Sequence, residues 1–123
     1  MINLTINAYI QSKNEIENTI IKCEKILPKF QLGTSQHTLL INRINALNIS
    51  KCLIEKELSQ TSLTLQYSRK ELEDALRPIE SIIHKCKKAQ SKYELSSNQY
   101  KRYSPLIESM EISKTLIERE LII

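Results

Sequence analysis

The segment Ile49-Ser50-Lys51-Cys52-Leu53-Ile54-Glu55-Lys56-Glu57-Leu58 returns downstream as Ile112-Ser113-Lys114-Thr115-Leu116-Ile117-Glu118-Arg119-Glu120-Leu121. The offset is 63 residues, and it holds upstream as well. Ile16-Glu17 matches Ile79-Glu80, Lys22-Cys23 matches Lys85-Cys86, and Lys25, Lys29, Leu32 and Gln36 match Lys88, Lys92, Leu95 and Gln99. Over positions 16 to 58, 18 of 43 residues are identical to their counterparts. Self-similarity at a fixed period marks a repeated structural unit. The expectation is a tandem duplication within a single domain spanning 1–123, with repeat one at about 4–60 and repeat two at about 67–123.

Within each unit the apolar residues recur at helical spacing. Ile16, Ile20, Cys23 and Leu27 form one stripe, echoed by Ile79, Ile83 and Cys86. Leu40, Ile44, Leu47, Ile54 and Leu58 form a second, echoed by Ile107, Met110, Ile117 and Leu121. Such stripes are buried faces of amphipathic helices rather than strand alternation. Thr5 after Leu4, with Tyr9 beyond, reads as an N-cap with a hydrophobic staple, and Tyr67-Ser68-Arg69-Lys70-Glu71-Leu72 as a capping box with the same staple. Pro28 and Gly33 end the first helix, Thr34 or Ser35 caps the second, and Ser96-Ser97-Asn98 does the same in repeat two. Pro78 inside the third helix predicts a kink or a late start, because it lacks a backbone donor and crowds the carbonyl of Asp74. Short turns after Phe30 and Tyr93 make sequential helices antiparallel neighbours. The expected fold is therefore all-α, an antiparallel four-helix bundle built from two tandem helical-hairpin repeats. The connecting stretch 59–66 alternates enough to form a short strand against Ile2-Asn3-Leu4, but a lone two-stranded ribbon is marginal.

Composition agrees. One glycine, three prolines and no tryptophan among 123 residues leave little material for turns or sheet surfaces. The net charge of +4 suits anionic partners without marking a basic nucleic-acid arm. No apolar run approaches a membrane span and the N-terminus has no signal-peptide layout, which predicts a cytoplasmic protein without a membrane partner. Cys23, Cys52 and Cys86 form no C-x-x-C and no cluster with histidine, so they read as free, buried thiols rather than metal ligands. His37 and His84 lie in different helices at no ligand spacing, and acidic runs such as Glu55-Lys56-Glu57 read as solvated faces. Neither a catalytic constellation nor a cofactor is expected.

One place concentrates polar chemistry. Thr34, Ser35, Gln36 and His37 stand at a helix N-terminus, where free amides and the helix dipole favour an anion. Arg43 follows seven residues after Gln36 on the same stripe, as do Ser50 and Glu57. Repeat two answers with Gln99, Tyr100, Lys101 and Arg102, and both turns of an up-down bundle share one end, which would also collect Lys29 and Lys92. Ordinary caps and solvated lysines would explain part of this, but a cap needs only one such residue. The expected function is capture of a phosphorylated or nucleotide-like small molecule by Lys29, Thr34, Ser35, Gln36, His37, Arg43, Gln99, Tyr100, Lys101 and Arg102, with a homodimer as a further way to complete the site. A protein-binding helix face is the alternative, and nucleic-acid binding through the lysine stripes comes third.

The stretch Leu27-Pro28-Lys29-Phe30-x-x-Gly33-Thr34-Ser35-Gln36-His37-Thr38-Leu39-Leu40-x-Asn42-Arg43-Ile44-x-Ala46-Leu47 resembles uncharacterised small helical proteins of low-GC Gram-positive bacteria and their prophages. The resemblance covers about 14–58. It implies a helical hairpin and the company of a mobile element, but no activity or binding residues; the expected ligand capture is the kind a regulator or counter-defence protein of such an element would use. Repeat two departs from that pattern with Ser96, Tyr100 and Leu106 at the positions of Gly33, His37 and Arg43, so any site should be asymmetric.

Overall fold

The computed structural model describes residues 6–59 and 67–122. The described residues form four α-helices, α1 (Ile6–Ile26), α2 (Ser35–Ser59), α3 (Arg69–Gln90) and α4 (Asn98–Ile122), with a 3-10 turn at Leu27–Lys29 and no strand. They assemble as a helical bundle. The Thr5 cap, the Leu4 staple, the Ile2-Asn3-Leu4 ribbon and the linker from 60 to 66 lie outside the described residues.

Local chemistry accounts for the helix ends. Pro28, with no backbone N–H, sits in the 3-10 turn that closes α1, and Gly33 takes φ +85°, which a side chain would resist. The Thr34 hydroxyl oxygen accepts from the His37 N–H at 3.2 Å, which makes Thr34 rather than Ser35 the cap of α2. Ser97 caps α4 in the same way, accepting from the Tyr100 N–H at 3.1 Å. At α3 the capping box is reciprocal. The Glu71 N–H donates to Ser68 Oγ at 3.1 Å, and the Ser68 N–H donates to Glu71 Oε1 at 2.9 Å. Pro78 lies inside a helix that runs from 69 to 90, so the late start does not occur.

The core is built from the apolar stripes. Ile16, Leu47, Ile54, Ile79, Met110 and Ile117 are fully buried, with Leu53 and Leu116 close behind. Ser50 and Ser113 are buried too, and each satisfies its hydroxyl by donating to the carbonyl four residues earlier, Ala46 and Ser109 respectively. Small residues at these inward positions leave room for close backbone approach. Accordingly α2 touches α4 across the bundle, while α1 and α3 each touch both of them but not one another.

Three expectations need correction. Only Cys23 is a buried thiol; Cys86 is half-buried and Cys52 exposed. Cys52 sits beside the buried pair Leu53 and Ile54 but one step round the helix, so it faces outward and accepts a hydrogen bond from the Tyr67 hydroxyl at 3.3 Å. Ile83, assigned to the stripe, is only half-buried. The acidic runs are not simply solvated either, because they tie α2 to α4. Lys56 pairs with Glu120 at 3.0 Å and Arg119 pairs with Glu57, both between helices.

Candidate anion-binding site

Charge is distributed unevenly along this fold. The segments 22–43 and 85–102 hold ten lysines and arginines against two carboxylates, Glu24 and Glu94, whereas the rest of the chain holds eight cations and twelve carboxylates. Ion pairing follows the same division. Among the described residues every ion pair but Lys87–Glu111 lies wholly outside those two segments. Lys22, Lys25, Lys29, Lys85, Lys88, Lys92, Lys101 and Arg102 are exposed and make no ion pair among the described residues.

The ten anticipated site residues divide into three groups. Lys29, Ser35, Gln36, Gln99, Lys101 and Arg102 are exposed around the two turns. Thr34, His37 and Tyr100 are half-buried and engaged in the turns themselves. The Thr34 hydroxyl donates to the Gln31 carbonyl at 2.8 Å while accepting from the His37 N–H, so it is engaged in capping the turn. The carbonyl of Tyr100 accepts from Gln90 Nε2 at 2.9 Å, and the same amide reaches Ser104 Oγ at 3.1 Å, fastening the end of α3 to the first turns of α4. Tyr93 stacks on Tyr103 nearby, with ring centroids 6.3 Å apart.

Arg43 stands apart from both groups. Seven residues of helix place it about 10 Å from Gln36, and its stripe turns inward toward Ser50, which is fully buried. The residue is half-buried, and its guanidinium makes no ion pair or hydrogen bond among the described residues. Its charge is felt by two thiols on helices that do not touch each other. Burial pushes the Cys23 thiol up from its ordinary value, Arg43 pulls against that rise and Glu24 adds to it; burial likewise pushes Cys86 up, again opposed by Arg43. The repeat counterpart, Leu106, packs against the core at the same position. At this 63-residue spacing a cation at 43 corresponds to a hydrocarbon at 106.

Arg43 lines a groove of about 990 Å³ between α2 and α3. Leu39, Asn42, Asn45 and Asn48 line it from α2, and Pro78, Ser81 and Lys85 from α3. Its size lies at the upper end of small-molecule sites, roughly 300–1,000 Å³. Of the ten anticipated residues only Arg43 lines it. Its other end is acidic, with Glu71, Glu73 and Asp74, and closes near Tyr67, whose hydroxyl is pushed up to about 12 by its hydrogen bond to Cys52 and by burial. Sequence reasoning passed over the asparagines, although Asn42, Asn45 and Asn48 at three-residue spacing are poor helix formers inside a helix and were a usable signal.

Among the described residues no group of three His, Cys, Asp or Glu is placed to hold a metal ion. No described helix is long and apolar enough to cross a membrane. No protein-family model, curated protein or solved structure matches the chain.

Proposed function

We propose that the chain is a non-enzymatic binding protein that captures a phosphorylated or nucleotide-like small molecule at the turn end of an antiparallel four-helix bundle made of two tandem hairpin repeats, 4–60 and 67–123. The observation that carries the reading is Arg43, a half-buried residue whose guanidinium has no carboxylate partner among the described residues, lining a groove together with Lys85. An unpaired cation gains from a bound anion, and guanidinium suits phosphate by its planar fork of donors. The exposed turn residues Ser35, Gln36, Lys101 and Arg102 form the outer rim in this reading, with Arg43 and Lys85 at its inner edge.

The repeat architecture draws support from recurrences at the 63-residue offset. The bounds of α2, 35 to 59, become those of α4, 98 to 122. The Lys51–Glu17 ion pair has its counterpart in Lys114–Glu80, and the pairs Lys56–Glu120 and Arg119–Glu57 exchange into one another. An antiparallel course is supported by pairings that run in opposite directions along neighbours: Lys13 with Glu55 and Glu17 with Lys51 between α1 and α2, and Arg43 near Cys86 but Cys52 at Tyr67 between α2 and α3. A place among the proteins of mobile elements, in the cytoplasm, belongs to the same proposal.

Calorimetry with ATP as the probe tests the site. Arg43→Ala is expected to weaken binding at least about tenfold, about 1.4 kcal/mol, with the melting temperature of the free protein nearly unchanged. Arg43→Leu, which installs the residue of repeat two, is expected to abolish the same increment of binding while stabilising the free protein by about 1 kcal/mol through added core packing. Unchanged ATP affinity in both variants removes Arg43 from the site. Absence of binding by any nucleotide tested shifts the reading to a protein-binding helix face.

A further inference from the structure

The tips of the two turns carry apolar side chains in open water. Leu32 is 86% exposed and Leu95, its counterpart 63 residues on, is 76% exposed; Phe30 and its counterpart Tyr93 are 37% and 42% exposed. Among the described residues Leu32 and Leu95 are the most exposed large apolar residues outside the last helical turn, ahead of Leu39 at 65% and Ile6 at 62%. Folding gains nothing from leaving a leucine in water, yet the same pattern stands on both turns. The lysines beside these tips are also the ones without ion pairs. Lys22, Lys25 and Lys29 precede the first tip and Lys85, Lys88 and Lys92 the second, each trio spanning about 10 Å of helix, roughly one Debye length at moderate salt. Lys101 and Arg102 follow the second tip.

The two tips also share an end. Between α2 and α3, Cys52 lies at Tyr67 whereas Arg43 lies near Cys86, so the start of α2 falls beside the end of α3. Gln90 then joins the end of α3 to the first turns of α4.

We infer that this end docks peripherally on an anionic lipid surface, with Leu32 and Leu95 entering the headgroup region, Phe30 and Tyr93 at the interface, and the unpaired lysines meeting the lipid phosphates. Charge complementarity selects this occupant. A second copy of the chain placed tip to tip would bring eight exposed, unpaired cations against eight, with Glu24 and Glu94 a side to offset them. An anionic bilayer accepts both features at once, because lysine stems lie along apolar surface while their ammonium groups reach the headgroups. The whole chain adds only peripheral contact in this arrangement, in keeping with helices too polar to span. This inference revises the expectation of no membrane partner; the surface shares Lys85 with the Arg43 groove, but Leu32, Leu95, Phe30 and Tyr93 do not line it.

Co-sedimentation with phosphatidylserine–phosphatidylcholine vesicles, against pure phosphatidylcholine vesicles and against soluble phosphoserine as competitor, tests it. Binding is expected only to the anionic vesicles, weakening as salt is raised and untouched by phosphoserine at low excess. The double variant Leu32→Ser with Leu95→Ser is expected to lose at least about tenfold in partitioning, and Lys29→Glu with Lys92→Glu to lose a comparable factor. Both pairs are exposed, so circular dichroism and urea melts should match the parent and certify folding. Arg43→Ala should bind vesicles as the parent does, which separates this surface from the nucleotide site. No binding to anionic vesicles, or full binding by the leucine variant, overturns the inference; retention of binding on pure phosphatidylcholine overturns the role given to charge.

Discussion

The two ends of this bundle use charge in opposite ways. Where α2 and α4 finish, Lys56, Glu57, Arg119 and Glu120 lock into crossed pairs, and Tyr9 lies close enough to Glu57 for its hydroxyl to be pushed up, chiefly by burial and then by that carboxylate. At the turns, cations outnumber carboxylates ten to two and almost none is paired. Paired charge holds elements in register, whereas unpaired charge on an exposed surface is available to something else. In the proposed reading the paired end is structural and the turn end receptive, although both draw on stretches related by the 63-residue offset. The difference lies at positions where the residues 63 apart are not the same, or where tertiary packing treats identical residues differently.

The largest effects should fall on the core near the paired end. Ile54→Ala and Ile117→Ala each remove a fully buried side chain, and a loss of roughly 2 to 5 kcal/mol is expected in urea melts. Leu32→Ala at the receptive end should change stability by no more than about 0.5 kcal/mol. Equal losses at Ile54 and Leu32 would erase the distinction between the ends.

Ion pairing gives a smaller contrast. A double-mutant cycle on Lys56 and Glu120, whose side chains are 26% and 17% exposed, should return a coupling near the upper end of the range for accessible pairs, about 1 kcal/mol. The same cycle on Lys70 and Asp74, both largely exposed at the outer face of α3, should give about 0.3 kcal/mol. A coupling at Lys56 and Glu120 no larger than that would mean the paired end is held by packing alone.

The smallest effect concerns pH at the receptive end. Burial raises the Cys23 thiol above its ordinary 9.0, so the folded state keeps a proton that the unfolded state releases. The associated stability is complete below pH 9.0 and is lost as pH rises through the folded value. Cys23→Ala should therefore flatten the fall in urea midpoint above pH 9.0 relative to the parent. Native thiol labelling should follow exposure, fast at Cys52, slower at Cys86 and slowest at Cys23. Rapid labelling of Cys23 would show that this end of the core opens readily.

Sequence alone determined the elements of this protein. The 63-residue offset, the Ser68 capping box, the cap region at Thr34-Ser35 and at Ser96-Ser97-Asn98, and the burial of Ile16, Leu47, Ile54, Ile79, Met110 and Ile117 are local consequences of helical periodicity and of hydrogen bonding within four residues. Only the tertiary structure decided which neighbour each face meets. Spacing put Gln36, Arg43, Ser50 and Glu57 on one stripe, but packing against α1, α3 and α4 made that stripe exposed at Gln36, half-buried at Arg43, sealed at Ser50 and ion-paired at Glu57. It likewise separated Arg43 from the turn residues, turned Cys52 out toward Tyr67 and left Leu32 and Leu95 in water. A stripe is fixed by 3.6 residues per turn, whereas its cover depends on contacts between residues far apart in the chain.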